Sequence, residues 1–315
     1  MSEYRWVAAL LAAMALVWSM PQPTAAAEQK AVLVTGASTG IGRNMAETLA
    51  KEGYFVYAGA RKDQDLDELD AIDNIKAVRL DVTNQDQVDA ALEFVKSEGR
   101  GLYGLVNNAG VASFGLMTEV EVSELEWVFD VNVSGVVRVT RAFAPLVMES
   151  QGRIATTGSI AGIRTSPAMG VYSMSKHAIE AFTDALAFEL RETGVRVAII
   201  EPGGYRTAIR HTTANRLMKN YEVDGKQPPQ WQVNILDSML KEESSMKEPD
   251  EVSAALLHFL SSDAPLRRYM VVPVEQQGRA TITALISELA QLNKWGPYSY
   301  SRDELVEMLD QALAE

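Results

Sequence analysis

A short apolar run followed by closely spaced glycines constrains the fold more than any other stretch of this chain. Residues 30–35 (KAVLVT) are apolar and β-branched, which predicts a strand buried on both faces. Gly36, Gly40 and Gly42 follow at once, and a helical pattern covers residues 43–52. A strand, a glycine turn and a helix N-terminus form a phosphate site, because glycines admit the ligand to the backbone and free helix N–H groups face it. The spacing is G-x-x-x-G-x-G rather than G-x-G-x-x-G, so the turn indicates phosphate binding only together with the strand before it.

Strand and helix patterns alternate along the rest of the chain. The predicted strands cover residues 54–60, 75–80, 102–106, 153–158, 195–200 and 268–274. The predicted helices cover residues 87–97, 121–149, 172–192, 249–260, 281–292 and 302–313. This alternation predicts an α/β fold: a doubly wound parallel sheet of Rossmann type with helices on both faces. We expect a single domain over residues 29–280, with residues 281–315 as a C-terminal helical extension whose acidic last helix packs on the body or on a partner.

The sequence also predicts a helix cap and a long excursion outside the strand–helix alternation. Thr83 or Asn84 is expected to cap the helix that begins near residue 87. Residues 204–248 interrupt the alternation with a long excursion rich in apolar side chains, among them Leu217, Tyr221 and Trp231. The excursion predicts either an apolar lid over a ligand site or a small packed pair of helices.

Charge and residue usage exclude several classes of function. The net charge is −13 and no basic stripe is present, which argues against nucleic-acid binding. The chain has no cysteine, so disulfides and thiolate metal sites are excluded. The three histidines are far apart in the sequence, and no metal site is expected.

Residues 1–27 differ from the rest of the chain. A short polar start containing Arg5 precedes an apolar run over residues 6–20, and PQPTAAA follows. This layout predicts a secretory signal peptide cleaved near Ala27. The apolar run is shorter than the about 20 residues of a spanning helix, but extended to Ala27 it could serve as an uncleaved anchor. A mis-assigned start codon is the third interpretation. The protein is expected to be exported or membrane-associated. If residues 1–27 are an uncleaved anchor, the enzyme could lie on the cytoplasmic face of the membrane.

The end of the second predicted strand bears on the choice of cofactor. Dinucleotide sites that take NAD carry an acid here, which binds the ribose hydroxyls. This chain has Ala60 followed by Arg61 and Lys62. A missing acid beside a cation favours the 2′-phosphate of NADP(H) over NAD(H), although the two cations could also simply solvate a loop.

A second cluster of polar residues falls at the carboxyl end of the fifth predicted strand. Ser159 ends that strand, and Tyr172 and Lys176 follow one helical turn apart on the same helix face. A cation beside a phenol lowers its pKa from about 10 and equips it for proton transfer. Taken alone, such a pair is more typical of a helix surface. Asn132 lies inside a predicted helix, where asparagine is unfavourable, or it faces solvent there.

From about residue 30 to residue 275 the chain resembles the short-chain dehydrogenases/reductases. The motifs that carry the resemblance are Thr35-Gly36-Ala37-Ser38-Thr39-Gly40-Ile41-Gly42, Asp81, Asn107-Asn108-Ala109-Gly110, Asn132, Ser159, Tyr172-Ser173-Met174-Ser175-Lys176 and Pro202-Gly203. Each motif is weak by itself, but together they occur in the order and spacing of that family. One departure is Thr157-Gly158 before Ser159, where Ser-Ser is commoner.

The resemblance implies a role for each matching position. Tyr172 would be the acid/base, and Lys176 would lower its pKa and bind the nicotinamide ribose. Ser159 would hold the substrate oxygen, and Asn132 would hold a water that relays protons to Lys176. The remaining implied cofactor contacts are the pyrophosphate turn, the 2′-phosphate contact, the adenine contact and the sheet edge near the nicotinamide: Gly36, Ser38, Thr39, Gly40, Ile41, Gly42, Arg61, Asp81, Val82, Asn108, Ala109, Gly110, Pro202, Gly203 and Thr207.

Finer motifs resemble the retinol and hydroxysteroid dehydrogenase branch of the family. The stretches 101–110, 131–140 and 201–203 carry this likeness. The branch implies a lipophilic alcohol, ketone or aldehyde as substrate and, in many members, an N-terminal membrane anchor. The family as a whole implies a homo-oligomer, and the match of Arg61 to its 2′-phosphate contact implies NADP(H). Because NADP(H) is kept inside cells, the implied cofactor favours the anchor over export of residues 1–27.

The sequence argues against two other functions. A catalytically weak NADP-binding sensor or scaffold would need no intact set of Asn132, Ser159, Tyr172 and Lys176, and the set is intact. A sugar-nucleotide epimerase or dehydratase usually has a G-x-x-G-x-x-G turn and a larger substrate domain. The sequence therefore favours a dehydrogenase/reductase.

Overall fold

The computed structural model describes residues 29–243 and 245–314. Residues 1–27, predicted to be a signal peptide or anchor, lie outside the described residues, so that interpretation stays a prediction. Within the described ranges, no helix is long and apolar enough to cross a membrane.

Parallel strands form the centre of the fold, as the alternating pattern predicts. They are β1 (Ala31–Val34), β2 (Phe55–Ala60), β3 (Ile75–Arg79), β4 (Gly104–Asn107), β5 (Arg153–Thr157), β6 (Arg196–Pro202) and β7 (Arg268–Val271). Their order in the sheet is β3-β2-β1-β4-β5-β6-β7, with every pairing parallel. The chain reverses its direction of winding between β1 and β4, which is where ligands bind to open sheets of this kind.

Helices cover both faces of the sheet. They are α1 (Gly40–Lys51), α2 (Asp63–Asp70), α3 (Gln85–Ser97), α4 (Val122–Phe129), α5 (Gly135–Glu149), α6 (Gly170–Leu190), α7 (Ile209–Val223), α8 (Gln230–Glu243), α9 (Asp250–Ser261), α10 (Glu275–Leu292) and α11 (Arg302–Ala314). Met45 of α1 and Phe259 of α9 belong to the apolar core on one face of the sheet. Val88 of α3 and Phe143 of α5 belong to the core on the other face. Burial of apolar side chains on both sides explains why the strands read as continuous apolar runs.

The N-termini of α3 and α1 agree with the sequence to different degrees. Asn84, one of the two predicted caps, accepts a hydrogen bond from the backbone N–H of Gln87 and so caps α3. Helix α1 begins at Gly40, three residues before the predicted start. The glycine turn therefore supplies the first turn of the helix itself, which brings the helix N-terminus to the end of β1.

The helix predicted over residues 121–149 is not regular. A π-helical turn, Asp130–Ser134, separates α4 from α5 and contains Asn132. The Asn132 side chain bonds outside the helix, to Val111 and Ser175. An asparagine inside a helix competes with the backbone for hydrogen bonds, and here its partners lie on neighbouring elements.

The excursion over residues 204–248 contains a small packed pair of helices, which is one of its two predicted interpretations. Helices α7 and α8 pack together through an apolar cluster that contains Ala214 and Leu236. The same helices lie against the body: Thr213 of α7 donates to the Ala112 carbonyl, and Gln232 of α8 donates to the Phe114 carbonyl. The pair is thus a small packed unit that also covers the carboxyl ends of the strands.

The first of the two C-terminal helices begins earlier than predicted. Helix α10 begins at Glu275, six residues earlier than expected, and its Thr281 is fully buried. Gln277 of α10 accepts a hydrogen bond of 2.9 Å from the backbone N–H of Gly204. The first turns of α10 therefore belong to the body of the domain. Helix α11 has no buried residue among those described, and its packing on the body or on a partner stays a prediction.

Candidate active site

A cavity of about 970 Å³ opens at the carboxyl ends of the strands. All the predicted site residues line it except Asn132. Its first part, which we call the glycine-turn end, is formed by the turn after β1 and the ends of β2 and β3. Its second part, the α7 end, is formed by α7, the residues after β4 and the residues after Ser159.

The glycine turn has no room for side chains. Gly36 and Gly40 have φ of 64° and 57°, a conformation that favours glycine. A Cβ atom at Gly42 would overlap the Gly36 carbonyl oxygen and the Asn108 side-chain amide. The side chain of Thr39 does not cap α1, so the first N–H groups of the helix are left for a ligand. This tight backbone at a helix N-terminus fits the pyrophosphate of a dinucleotide.

The adjoining loop is fixed to the turn by Thr35. Its hydroxyl accepts hydrogen bonds from the backbone N–H groups of Asn108 and Ala109, at 2.9 and 3.0 Å. The Asn108 amide donates back to the Thr35 carbonyl at 3.0 Å. These bonds hold the ends of β1 and β4 together at the point where the sheet reverses, so the cavity floor is rigid.

Arg61 and Asp81 lie together at the outer edge of the glycine-turn end. Their side chains are 3.6 Å apart, and Arg61 is largely exposed. Burial alone would raise the pKa of Asp81, but hydrogen bonds from Thr83 and the charge of Arg61 lower it below its ordinary value. The carboxylate is therefore ionised and oriented, ready to accept a hydrogen bond from an amino group.

Ser159 and Tyr172 meet at the centre of the cavity. Ser159 caps the short 3-10 turn Ile160–Gly162, where its hydroxyl accepts from the Ala161 N–H at 3.0 Å. The same hydroxyl is a hydrogen-bond partner of the Tyr172 side chain. Burial has the largest influence on the pKa of Tyr172 and raises it, while the bond to Ser159 acts in the opposite direction.

Lys176 lies one turn after Tyr172 and is buried. Its ammonium donates to the Thr157 carbonyl at 2.8 Å and lies 5.7 Å from the centroid of the Tyr172 ring. Burial lowers the pKa of Lys176 to about 8, against the charge of Glu180. The expected lowering of the Tyr172 pKa by Lys176 is not found, because burial of the phenol outweighs the other influences on it.

Asn132 stands behind the cavity rather than in its wall. Its amide oxygen accepts from the Val111 N–H at 2.8 Å, and its amide nitrogen donates to the Val111 carbonyl and to the Ser175 hydroxyl. Both amide protons are thus in use, whereas the amide oxygen keeps a second lone pair. A water held by this side chain, as the resemblance implies, would donate its hydrogen bond to that oxygen.

The α7 end has an apolar wall formed by residues that the sequence motifs do not mark. Phe114, Trp127, Met169, Ile209 and Met239 line it. They come from five separate parts of the chain, and only the excursion helices carried a prediction. No periodic pattern could have assigned the others to one wall.

The α7 end also contains cationic side chains that the sequence analysis missed. Arg164, Arg210, Arg216 and Lys219 line the cavity. Arg216 bonds Glu124 through two of its nitrogens, at 3.1 and 3.3 Å, and its guanidinium lies 3.6 Å from the centroid of a Trp127 ring. In the part of the chain that the structure describes, no group of three or more His, Asp or Glu side chains could hold a metal ion.

The glycine at position 158, where the family more often has serine, has a packing reason. A Cβ atom there would lie 2.8 Å from the Ile199 side chain and 3.2 Å from a Glu180 carboxylate oxygen. At Gly162 it would lie 2.9 Å from the same oxygen. Glu180 therefore occupies the space behind the turn that carries Ser159, and it pairs with Arg268, which also bonds the buried Glu201.

Comparison with known proteins identifies relatives of this chain. A family model described as short chain dehydrogenase matches residues 30–217. Retinol dehydrogenase 7 of Mus musculus is 33% identical over 254 residues, which cover 77% of this chain and 80% of that protein. The mitochondrial D-beta-hydroxybutyrate dehydrogenase of Rattus norvegicus is 38% identical over 196 residues. That match covers 58% of this chain and only 56% of the rat protein.

A solved structure shares the whole architecture. It is a short chain dehydrogenase/reductase from Burkholderia phymatum in complex with NAD, with a TM-score of 0.74 and 27% identity. The superposition covers 87% of this chain and 99% of that one. The fold thus agrees with that of a short chain dehydrogenase/reductase solved in complex with NAD.

Proposed function

The chain belongs to the short chain dehydrogenase family, and on that premise we propose that it interconverts a lipophilic carbonyl compound and the matching alcohol with NADP(H). One observation carries the proposal: Ser159, Tyr172 and Lys176 meet in a single cavity whose other end is the glycine turn. A phosphate site and a proton-transfer group in one cavity are what such a redox enzyme requires.

The side chains divide the work of the reducing direction. When bound at the glycine turn, a reduced dinucleotide would supply the hydride that the carbonyl carbon needs and would leave as the oxidised dinucleotide. Ser159 donates a hydrogen bond to the carbonyl oxygen, and Tyr172 gives that oxygen its proton, so that an alcohol and a phenolate result. Burial keeps Tyr172 protonated before the step, and Lys176, 5.7 Å from the ring centroid, stabilises the phenolate after it. Oxidation of the alcohol follows the reverse path.

Preference for NADP(H) rests on Arg61. Its guanidinium lies at the cavity edge beside Asp81 and is mostly exposed. The end of β2 carries Ala60 and Arg61 and not the acidic residue that binds the ribose hydroxyls of NAD. A planar guanidinium binds a phosphate through two parallel hydrogen bonds. At the same end, the Asp81 carboxylate would accept a hydrogen bond from the adenine amino group.

A lipophilic substrate is supported by the apolar wall of the α7 end and by the size of the cavity. One relative is named a retinol dehydrogenase, which is a dehydrogenase of a large apolar alcohol. Membrane association through residues 6–27 and assembly into a homo-oligomer remain predictions from the sequence.

The test is NADPH oxidation with a panel of retinoid, steroid and medium-chain aldehydes and ketones, with NADH as the comparison cofactor. We expect turnover with NADPH, and a loss of about 10²–10⁴-fold in kcat for Tyr172→Phe, because positioned acid–base catalysis contributes that much. NADPH binding, measured by fluorescence titration, should be retained in the variant. Tyr298→Phe, which removes the same hydroxyl from an exposed position, is the matched control.

Two results would speak against the proposal. An unchanged kcat in Tyr172→Phe would remove Tyr172 from the mechanism. Tight NADPH binding without turnover of any member of the panel would favour a sensor or scaffold instead.

A further inference from the structure

The charge of the cavity is opposite to that of the protein. The chain as a whole has 42 acidic and 29 basic residues. Among the described residues that line the cavity, six are basic and one, Asp81, is acidic. Such a reversal needs a cause at the site, since a random selection from this sequence would be acidic.

The proposed cofactor accounts for only part of this charge. Arg61 lies beside Asp81 at the glycine-turn end, and Lys176 lies at the centre next to Tyr172. The other four cations, Arg164, Arg210, Arg216 and Lys219, belong to the α7 end, where no carboxylate lines the cavity. They surround the space that a substrate would fill, beyond the reacting carbonyl.

Arg164 is the strongest single indication of a ligand. Its Nε atom is buried and has no hydrogen-bond partner, and its guanidinium forms no ion pair with any described residue. A buried donor of a charged group is costly when it is left unpaired. Arg164 also follows directly from the turn that Ser159 caps, since its N–H donates to the Ile160 carbonyl at 3.0 Å. An anion bound to Arg164 would therefore be held at a fixed place relative to Ser159.

Three other cations line the same end as Arg164. The Glu124 carboxylate and the Trp127 ring fix Arg216, so its guanidinium is oriented, although Glu124 offsets its charge. Lys219 is exposed on α7 and has no ion pair among the described residues. Arg210 donates to the Met239 carbonyl at 3.2 Å and adds positive charge to the same wall. Arg164 and Lys219 form no ion pair with a described residue, so this end keeps positive charge after Glu124 offsets that of Arg216.

We propose that the α7 end binds the anionic head of an amphiphilic substrate, a medium-chain keto or hydroxy carboxylate, with Arg164 as the specificity-determining residue. The apolar stem of the substrate lies along Phe114, Met169 and Met239, and its carbonyl or hydroxyl group is at Ser159 and Tyr172. Guanidinium groups match the two oxygens of a carboxylate. The inference rests on the proposed function for its reaction, which is unchanged: a hydride and a proton add across the carbonyl group, and the carboxylate takes no chemical part.

The kinetic test compares a medium-chain keto acid with its methyl ester, which has the same stem without the charge. For the unmodified protein with NADPH, kcat/KM should be about 10- to 100-fold higher for the acid, the value of a hydrogen bond to a charged group. Arg164→Gln should bring this ratio close to 1, chiefly by raising the KM of the acid, and Arg164→Lys should restore part of it. Arg191→Gln, which loses an exposed arginine outside the cavity, should leave the ratio unchanged.

A binding test separates the inference from the proposed function. Octanoate and octanamide are titrated by calorimetry into the full-length protein with NADP⁺ present, so that no turnover is needed. Octanoate should bind about 10-fold or more tightly than octanamide, and Arg164→Gln should remove the difference. If octanoate binding depends on Arg164 but no carbonyl compound is turned over, the proposed reaction fails and the anion site stands.

The opposite results overturn the inference. Turnover of the ester at least as fast as the acid, together with equal binding of octanoate and octanamide, would show a neutral substrate and leave the proposed function intact. An acid preference that persists in Arg164→Gln would also remove Arg164 from this role.

Discussion

The glycine-turn end of the cavity is made of backbone, whereas the α7 end is made of side chains. At the first, a methyl group on Gly36 would collide with the Ala109 backbone, and one on Gly42 would collide with the Gly36 carbonyl and the Asn108 amide. At the second, Phe114, Arg164 and the α7 side chains come from distant segments and meet only through packing. The first end can therefore bind one shape of ligand, while the second can change its ligand by changing side chains.

The largest effect is expected from a substitution that disrupts only the glycine-turn end. In Gly42→Ala the new Cβ overlaps the Gly36 carbonyl and the Asn108 amide, so the turn must open. We expect the Kd for NADPH to rise by about 100-fold or more, since a rearranged turn loses several hydrogen bonds to the pyrophosphate. Fluorescence titration measures it.

Gly115→Ala is the matched control at the other end. Gly115 follows Phe114, and a Cβ atom there would have no neighbour within 4 Å. The Kd for NADPH should stay within about twofold. Equal losses in both variants would contradict the division of the cavity into a tight and an adaptable end.

A smaller effect tests the edge of the glycine-turn end. Arg61→Leu removes the cation beside Asp81, and the Kd for NADPH should rise about 10- to 100-fold while that for NADH changes little. Lys62→Leu removes the neighbouring exposed cation, which does not line the cavity, and should change neither value by more than about twofold. A native protein that uses NADH alone would refute the role given to Arg61.

The smallest effect concerns Glu180, which lies behind the turn that joins the two ends. Burial, with the charge of Glu201, raises the pKa of Glu180 to about 7, against the charge of Arg268. Asp184 of the same helix also pairs with Arg268, and Lys176 lies one turn away. A carboxyl group with a raised pKa holds its proton in the folded state after the unfolded chain has lost it.

The free energy of unfolding should therefore fall as the pH rises from about 4.5, the ordinary value, to about 7. Solvent and Arg268 screen the group, so we expect a fall of about 1 kcal/mol. Urea denaturation at several pH values measures it. Glu180→Gln should flatten this slope, and Glu189→Gln, exposed on the same helix, should not. An equal slope in both variants would assign the titration to another group.

Sequence patterns predicted the glycine-turn end almost completely. Its contacts are local: Gly36, Gly40 and Gly42 lie within one turn, directly after a buried strand, and Arg61 and Asp81 follow at the ends of the next two strands. Because parallel strands end at one edge of the sheet, knowing the strands was enough to place these residues together. The largest local error was the helix start, since the glycines themselves form the first turn of α1.

The tertiary structure alone decided the α7 end and the supports behind it. Arg164, Gln277 and Glu180 carry no motif, because their positions depend on how α6, α7 and α10 pack rather than on spacing along the chain. Asn132 does belong to a sequence motif, but its place in a π-helical turn and its bonds to Val111 and Ser175 appear only in the fold. Periodicity and glycine spacing determine the sheet, its reversal point and the phosphate turn, since these arise from short-range geometry. The electrostatics of the α7 end arise from side chains far apart in sequence, and only folding brings them together.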